Sequence, residues 1–151
     1  MAENAARITL EAVEYALVDG VFSAYKTLRQ GVTDMLAELD LTEALADALW
    51  QLDPDGVPLS RRALAERLYC DPSNVTFLVD RLEEKGFVER APDPGDRRVK
   101  AVSLTAAGAS ARERIVYRTA ASPTFASLSR VEKEQLADLL RKAQGGQDPS
   151  G

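Results

Sequence analysis

The sequence predicts a mainly α-helical fold with one small β-hairpin, on three observations. An apolar stripe at helical spacing runs through the first forty residues. Several later segments begin at cap residues and end at glycine or proline, and a short Val- and Phe-rich region lies between two of them. With 151 residues, 45% of them hydrophobic and 28% charged, the chain has the size and composition of one soluble globular domain.

The first predicted element is a long helix, bent near Gly20 or Gly31. Its apolar positions follow one another at steps of three or four residues: Leu10, Val13, Leu17, Val21, Ala24, Leu28, Val32, Met35 and Leu39. A helix of this length cannot bury its stripe within so small a domain, so we expect a partner chain to cover part of it.

Two short helices joined by a tight link are predicted in the middle of the chain. Ser60 is a candidate N-cap for "RRALAERL", and "YCD" forms the link. Asp71 is a candidate N-cap for the next helix, which has Pro72 at its first position and ends at Gly86. Its inner face holds Val75, Leu78, Val79 and Leu82. A preceding helix, capped by Thr42, is predicted to run through Leu52, with inward-facing Leu45, Leu49 and Trp50.

The pattern changes after Gly86, where "FVERA" and "RVKAVSL" flank the turn "PDPGD" and predict a β-hairpin. A helix capped by Thr105 follows and ends before Pro123. The capping-box pattern "SRVE", residues 129–132, precedes the last helix. Helix, tight link, helix and hairpin in this order form a helix-turn-helix with a wing.

From Leu59 to Gly108 the chain resembles the winged-helix core of the multiple-antibiotic-resistance regulator (MarR) family. The resemblance rests on "VDRLEEKGFVER", on "DRR" at residues 96–98, and on "LTAAG" at residues 104–108. It implies a homodimeric bacterial transcription repressor that binds a pseudo-palindromic double-stranded DNA operator and is released by a small, often aromatic or phenolic, effector. It also implies one domain, in which residues 1–40 and 106–143 are dimerisation helices, 42–105 the winged lobe and 144–151 a disordered tail.

The resemblance makes residues 72–85 the recognition helix, which would lie in the major groove. Asn74 offers a donor and an acceptor together, as the groove edge of adenine requires. Phe77 stands where many family members carry arginine; it would either contact a thymine methyl or turn back toward the domain. The expected base-reading residues are Ser73, Asn74, Thr76, Phe77 and Arg81.

The hairpin would be the wing, because prolines and a glycine restrict its tip and cations follow. Asp96 and Arg98 match the family's D-x-R pattern, in which the carboxylate braces the wing and the arginine reaches the minor groove, while Arg97 and Lys100 would contact phosphate. A solvated hairpin tip is the alternative. Backbone contacts are expected from the start of the preceding helix, at Ser60, Arg61 and Arg62, where the alternative is an ordinary capped helix.

Aromatic residues on the flanking helices are candidates for an effector pocket: Tyr15, Phe22, Tyr25 and Trp50. Their alternative role is packing in the core or the dimer interface. Cys70 is expected to be a small filler in the turn rather than a redox sensor.

Composition excludes several classes of function. The chain has no histidine and one cysteine, so catalytic pairs built on histidine are impossible, and neither enzymatic activity nor a cofactor or metal is expected. The N-terminal residues lack a secretory pattern, which favours the cytoplasm. Net charge is −8 over residues 1–57, +1 over 58–100 and +2 over 101–151. The acidic first third leaves one alternative open, a winged-helix protein-interaction module that does not read DNA.

Overall fold

A computed structural model of the chain describes residues 2–93 and 95–145, with side chains from residue 12 onward. It contains seven α-helices within these residues: α1 Ala2–Gln30, α2 Thr33–Glu38, α3 Glu43–Gln51, α4 Arg61–Leu68, α5 Pro72–Glu84, α6 Ala106–Ala120 and α7 Arg130–Ala143. Three strands, β1 Leu59–Ser60, β2 Val88–Pro92 and β3 Lys100–Leu104, and a 3-10 turn at Pro123–Phe125 complete the order. The mainly helical fold is confirmed. The predicted tail lies outside the described residues from position 146 onward.

The chain divides into two compact units. One contains the described residues up to Leu28 together with those from Ala121 onward, and the other is Arg29–Ala120. In the first unit, α7 begins with the predicted capping box, in which Ser129 and Glu132 bond each other's main-chain N–H. None of the helices in the described part of the chain combines the length and apolar character of a membrane span.

The predicted N-terminal stripe is carried by two helices rather than one. The helical run stops at Gly31 and Val32, and α2 then ends before Asp40, which takes a left-handed conformation with φ of 51°. The stripe divides accordingly. Val32 and Met35 are buried in the second unit, whereas Val13, Leu17 and Val21 on α1 are exposed.

Helices α3 to α6 enclose the core of the second unit. The predicted inner face of α5 is confirmed, since Val75, Val79 and Leu82 are buried and Leu78 packs against them. Leu45 and Leu49 of α3 are also buried, but the prediction that Trp50 faces inward is wrong. Its side chain is 40% exposed, because the buried Leu45 and Leu49 lie four residues apart on one face of α3 and the next position is turned about 100° away from Leu49.

The three strands form an antiparallel sheet in the order β1-β3-β2. The predicted hairpin is β2 with β3, paired so that Val88 faces Leu104 and Arg90 faces Val102. The strand β1 was not predicted, because two residues carry no periodic pattern; they become a strand by pairing Leu59 with Val102 and Ser60 with Ala101.

The start of α6 is fastened to the end of the α5 segment. Thr105 caps α6 by accepting the main-chain N–H of Gly108 at 3.1 Å, and its hydroxyl donates to the carbonyl of Gly86 at 2.6 Å. Gly86 itself has φ of 73°, a conformation that favours glycine. These bonds place α6 and the hairpin at fixed positions around α5.

Candidate nucleic-acid interface

The start of α5 is built by its cap. The carboxylate of Asp71 accepts the main-chain N–H of Ser73 at 2.8 Å and its hydroxyl at 2.6 Å. These two bonds, the hydroxyl first, hold the pKa of Asp71 below its usual range. The preceding turn has Tyr69 in a left-handed conformation and Cys70 half-buried against the core, which agrees with the filler role. The N-terminus of α5 is therefore presented in one defined orientation.

The outer face of α5 carries the predicted base-reading residues. Ser73, Asn74 and Phe77 are exposed, and Thr76 is half-buried. Asn74 has no side-chain partner within the described residues, so its amide is available to a ligand. The hydroxyl of Ser73 is already engaged with Asp71, and that of Thr76 donates to the carbonyl of Pro72 at 3.2 Å.

Phe77 and Arg81 form a pair on this face, one turn apart. The ring of Phe77 is 60% exposed, and Arg81 Cζ lies 5.6 Å from the ring centroid. Arg81 also donates to Glu84 at 2.9 Å. Phe77 thus does not turn back toward the domain, which was the alternative considered for it.

The wing tip is shaped by two aspartates. Asp96 accepts the main-chain N–H of Arg98 at 3.0 Å, so its carboxylate braces the backbone rather than pairing with a guanidinium. Asp93 accepts the N–H of Gly95 at 2.7 Å and of Asp96 at 3.3 Å. Asp93 is not among the predicted wing residues, although an aspartate ahead of a Pro-Gly turn is a known side-chain turn signal. Pro94 lies outside the described residues.

The three predicted cations of the wing form no ion pair within the described residues. Arg97, Arg98 and Lys100 are exposed, and no acidic side chain among the described residues pairs with them. The two aspartates act on the main chain, so the wing retains its positive charge for a ligand.

A groove of about 540 Å³ lies between α5 and the wing. Its lining combines four predicted contact residues, Arg61, Thr76, Arg98 and Lys100, with two charged residues that were not predicted as contacts, Asp80 and Arg90. Arg61 also donates to Thr76 Oγ1 at 3.1 Å, which joins the start of α4 to α5. The groove therefore brings the three predicted groups of DNA contacts to one place.

The other two residues at the start of α4 are engaged locally. Ser60 Oγ accepts the N–H of Ala63 at 3.1 Å as the helix cap, and Arg62 pairs with Glu66 at 3.1 Å on the same helix. Of the predicted backbone contacts, Arg61 has the position best suited to the groove.

The predicted effector aromatics do not come together as a pocket within either unit. Tyr15, Phe22 and Tyr25 are exposed on α1, and Trp50 is on α3 of the second unit. A different cavity of about 300 Å³ lies between α2 and α6, lined by Met35, Glu38, Arg114, Tyr117 and Arg118. Arg114 pairs with Glu38 at 3.2 Å, and Arg118 has no pairing partner in the described part of the chain.

Comparison with known proteins agrees with this geometry. Residues 41–100 match the model of the MarR family. The chain is 34% identical to the uncharacterized HTH-type transcriptional regulator YkoM of Bacillus subtilis over 57% of each chain. It is 30% identical to the HTH-type transcriptional repressor IacR of Pseudomonas putida over 74% of this chain and 67% of IacR. The alignments with the first two curated relatives span 57% of those relatives' lengths.

The fold is also similar to solved structures. The crystal structure of CouR from Rhodococcus jostii RHA1 bound to p-coumaroyl-CoA superimposes with a TM-score of 0.69 at 25% identity, covering 87% of this chain and 90% of CouR. The structural similarity extends beyond the winged lobe, because the superposition covers most of each chain.

Proposed function

The chain belongs to the MarR family, and from this premise we propose that it is a sequence-specific double-stranded-DNA-binding transcription repressor. The observation that carries the proposal is the groove between α5 and the wing, which is lined by Arg61, Thr76, Arg98 and Lys100, with the exposed side chain of Asn74 on the same helix. Arginine and lysine supply phosphate contacts, and an amide can read a base edge. The family consists of transcription regulators, in agreement with the prediction that the chain is not an enzyme.

We propose that the repressor is a homodimer acting in the bacterial cytoplasm on a pseudo-palindromic operator. The apolar residues exposed on α1 support a partner chain, since Val13, Leu17 and Phe22 are each more than half exposed and Val21 is 49% exposed. Exposed apolar surface of this kind marks protein–protein contact. Two lobes related by a two-fold axis would read half-sites about one helical turn apart.

A gel-shift titration against the DNA upstream of the gene tests the DNA-binding proposal. We expect a discrete complex whose association constant falls steeply as salt rises from about 50 to 200 mM, because phosphate contacts release counterions. A scrambled duplex of equal length is the control for specificity. Failure to shift any upstream fragment at low salt would instead favour the protein-interaction module.

We propose that a small aromatic carboxylate binds the cavity between α2 and α6 and releases the DNA. Buried Met35 supplies an apolar wall, the ring of Tyr117 is exposed, and Arg118, which pairs with no acid among the described residues, offers its guanidinium to an anion. The aromatic acyl group of the CouR ligand shows that one similar fold holds an aromatic compound.

We expect p-coumarate or benzoate at millimolar concentration to release the protein from its operator. The Arg118→Ala variant should need about tenfold more ligand, because one charged hydrogen bond is lost. Arg130→Ala, which removes an arginine of α7 paired with Glu134, is the matched control. Equal sensitivity of Arg118→Ala and the unaltered protein would place the effector elsewhere.

A further inference from the structure

Arg90 of β2 connects the wing strand to the recognition helix through two acidic side chains. Its Nη1 lies 2.8 Å from Glu83 Oε2, and its Nη2 pairs with Asp80 Oδ1. The two acids stand three residues apart on α5, so one guanidinium spans a turn of the helix. The Arg90 side chain is only 26% exposed, less than either acid. We call these three residues the Arg90 cluster.

The cluster holds the wing at a second point along β2. The first point is the main-chain bond from Phe87 N to Leu82 O at 2.9 Å, where the chain leaves α5. Arg90 lies three residues further along the strand and pairs in register with Val102 of β3. Because β2 and β3 are the stem of the wing, fixing Arg90 against α5 fixes the direction in which the stem carries Arg98.

The cluster also changes the charge of the groove. Asp80 lines the groove together with Arg61, Arg98 and Lys100, which are the cations expected to meet phosphate. An unpaired carboxylate at this place would repel a phosphate and attract the neighbouring arginines. Opposite charges in contact cancel much of each other's field at the distance of a bound backbone. Arg90 therefore masks part of the negative charge of Asp80 and Glu83 beside the groove, because its single positive charge offsets one of their two negative charges.

We infer that Arg90 is a positioning residue for DNA binding: it orients the wing on the recognition helix and masks two carboxylates, without itself contacting DNA. The inference rests on the proposed DNA-binding function. The rival role for an arginine in this groove is a direct contact with phosphate. The two roles make different predictions. Masking affects DNA binding only while Asp80 and Glu83 are charged, whereas a contact between Arg90 and phosphate does not depend on the two acids.

A double-mutant cycle separates the two roles. Operator affinity is measured for the unaltered protein, Arg90→Met, Asp80→Asn with Glu83→Gln, and all three substitutions together. We expect Arg90→Met to weaken binding by about tenfold or more in the presence of the acids, and by no more than about threefold once they are neutral. Arg130→Met, in the α7 ion pair with Glu134, is the control for loss of one positive charge.

The salt dependence gives a second readout that a loss of stability would not move. If Arg90 neutralised a phosphate, its removal would reduce the slope of log K against log salt by about 0.9 for each lobe. We expect a clearly smaller change in the slope, and no change once the acids are neutral. An equal or larger loss of affinity in the neutral-acid background, or a slope reduced by about 0.9 per lobe in that background, would overturn the positioning role.

The orientation of the wing is tested without DNA by amide hydrogen exchange. We expect faster exchange at Asp93 and Val99, whose main-chain N–H groups bond within the wing, in Arg90→Met but not in Arg130→Met. Unchanged exchange would overturn the orienting part of the inference. If the variants differ in amide exchange as expected but the unaltered protein binds no DNA, the proposed DNA-binding function is wrong, whereas the role of Arg90 in orienting the wing is supported.

Discussion

Replacement of Gly108 by alanine should destabilise the unit Arg29–Ala120 by about 2–3 kcal/mol, since overpacking of a tight contact has costs of this order. A Cβ at this position would lie 1.8 Å from the carbonyl oxygen of Phe87 and 2.7 Å from its carbonyl carbon. Both are main-chain atoms at the entrance to β2, so no side chain can rotate away. The start of α6 or the hairpin must shift, although alanine elsewhere in a helix is favoured over glycine by about 1 kcal/mol.

Thermal unfolding followed by circular dichroism measures this effect. We expect the midpoint of Gly108→Ala to fall by about 5–10 °C, from the usual relation between free energy and melting temperature in small domains. Ser110→Ala is the matched control, because it creates the same residue in the same helix at an exposed position and should shift the midpoint little. Equal midpoints for the two variants would show that α6 does not approach Phe87 so closely.

Gly108 also illustrates what the sequence can predict. The "LTAAG" motif was identified as a family signature, and the cap formed by Thr105 was predicted from local chemistry. Glycine is required at position 108 because α6 passes close to the main chain of Phe87. Phe87 lies 21 positions earlier in the chain, so no local sequence pattern could predict this contact. The caps Thr42, Ser60 and Asp71 were predicted for the opposite reason, because each bonds an N–H two or three residues ahead.

The same distinction applies to the candidate site. The outer face of α5 follows from helical periodicity once the inner face is known, so Asn74 and Phe77 could be placed from sequence. Arg90 could not, because its partners lie on another element, seven and ten residues away. The effector pocket of aromatic residues stays a prediction, because Tyr15 and Phe22 are exposed on α1 and helical periodicity does not specify which surface covers them.

Replacement of Arg98 by alanine should weaken operator binding by about tenfold for each lobe, and so by about 100-fold for a dimer on two half-sites, as loss of one arginine contact of 1–2 kcal/mol implies. Arg98 lines the groove and has no acidic partner among the described residues. The brace from Asp96 reaches its main-chain N–H, which alanine retains. The wing should therefore keep its shape while it loses the charge that a narrow minor groove attracts.

Arg97→Ala is the matched control for Arg98→Ala, since it removes the same charge from the adjacent residue of the same turn. Arg97 is exposed but does not line the groove. We therefore expect a smaller loss of operator affinity, of the size expected for one phosphate contact, and we expect it to vanish at high salt. Arg98→Ala should remain weaker than Arg97→Ala at every salt concentration, because a contact in the groove depends on shape as well as charge. Equal losses would mean that the wing contributes only its net charge, and a larger loss for Arg97→Ala would place that residue, not Arg98, against the DNA.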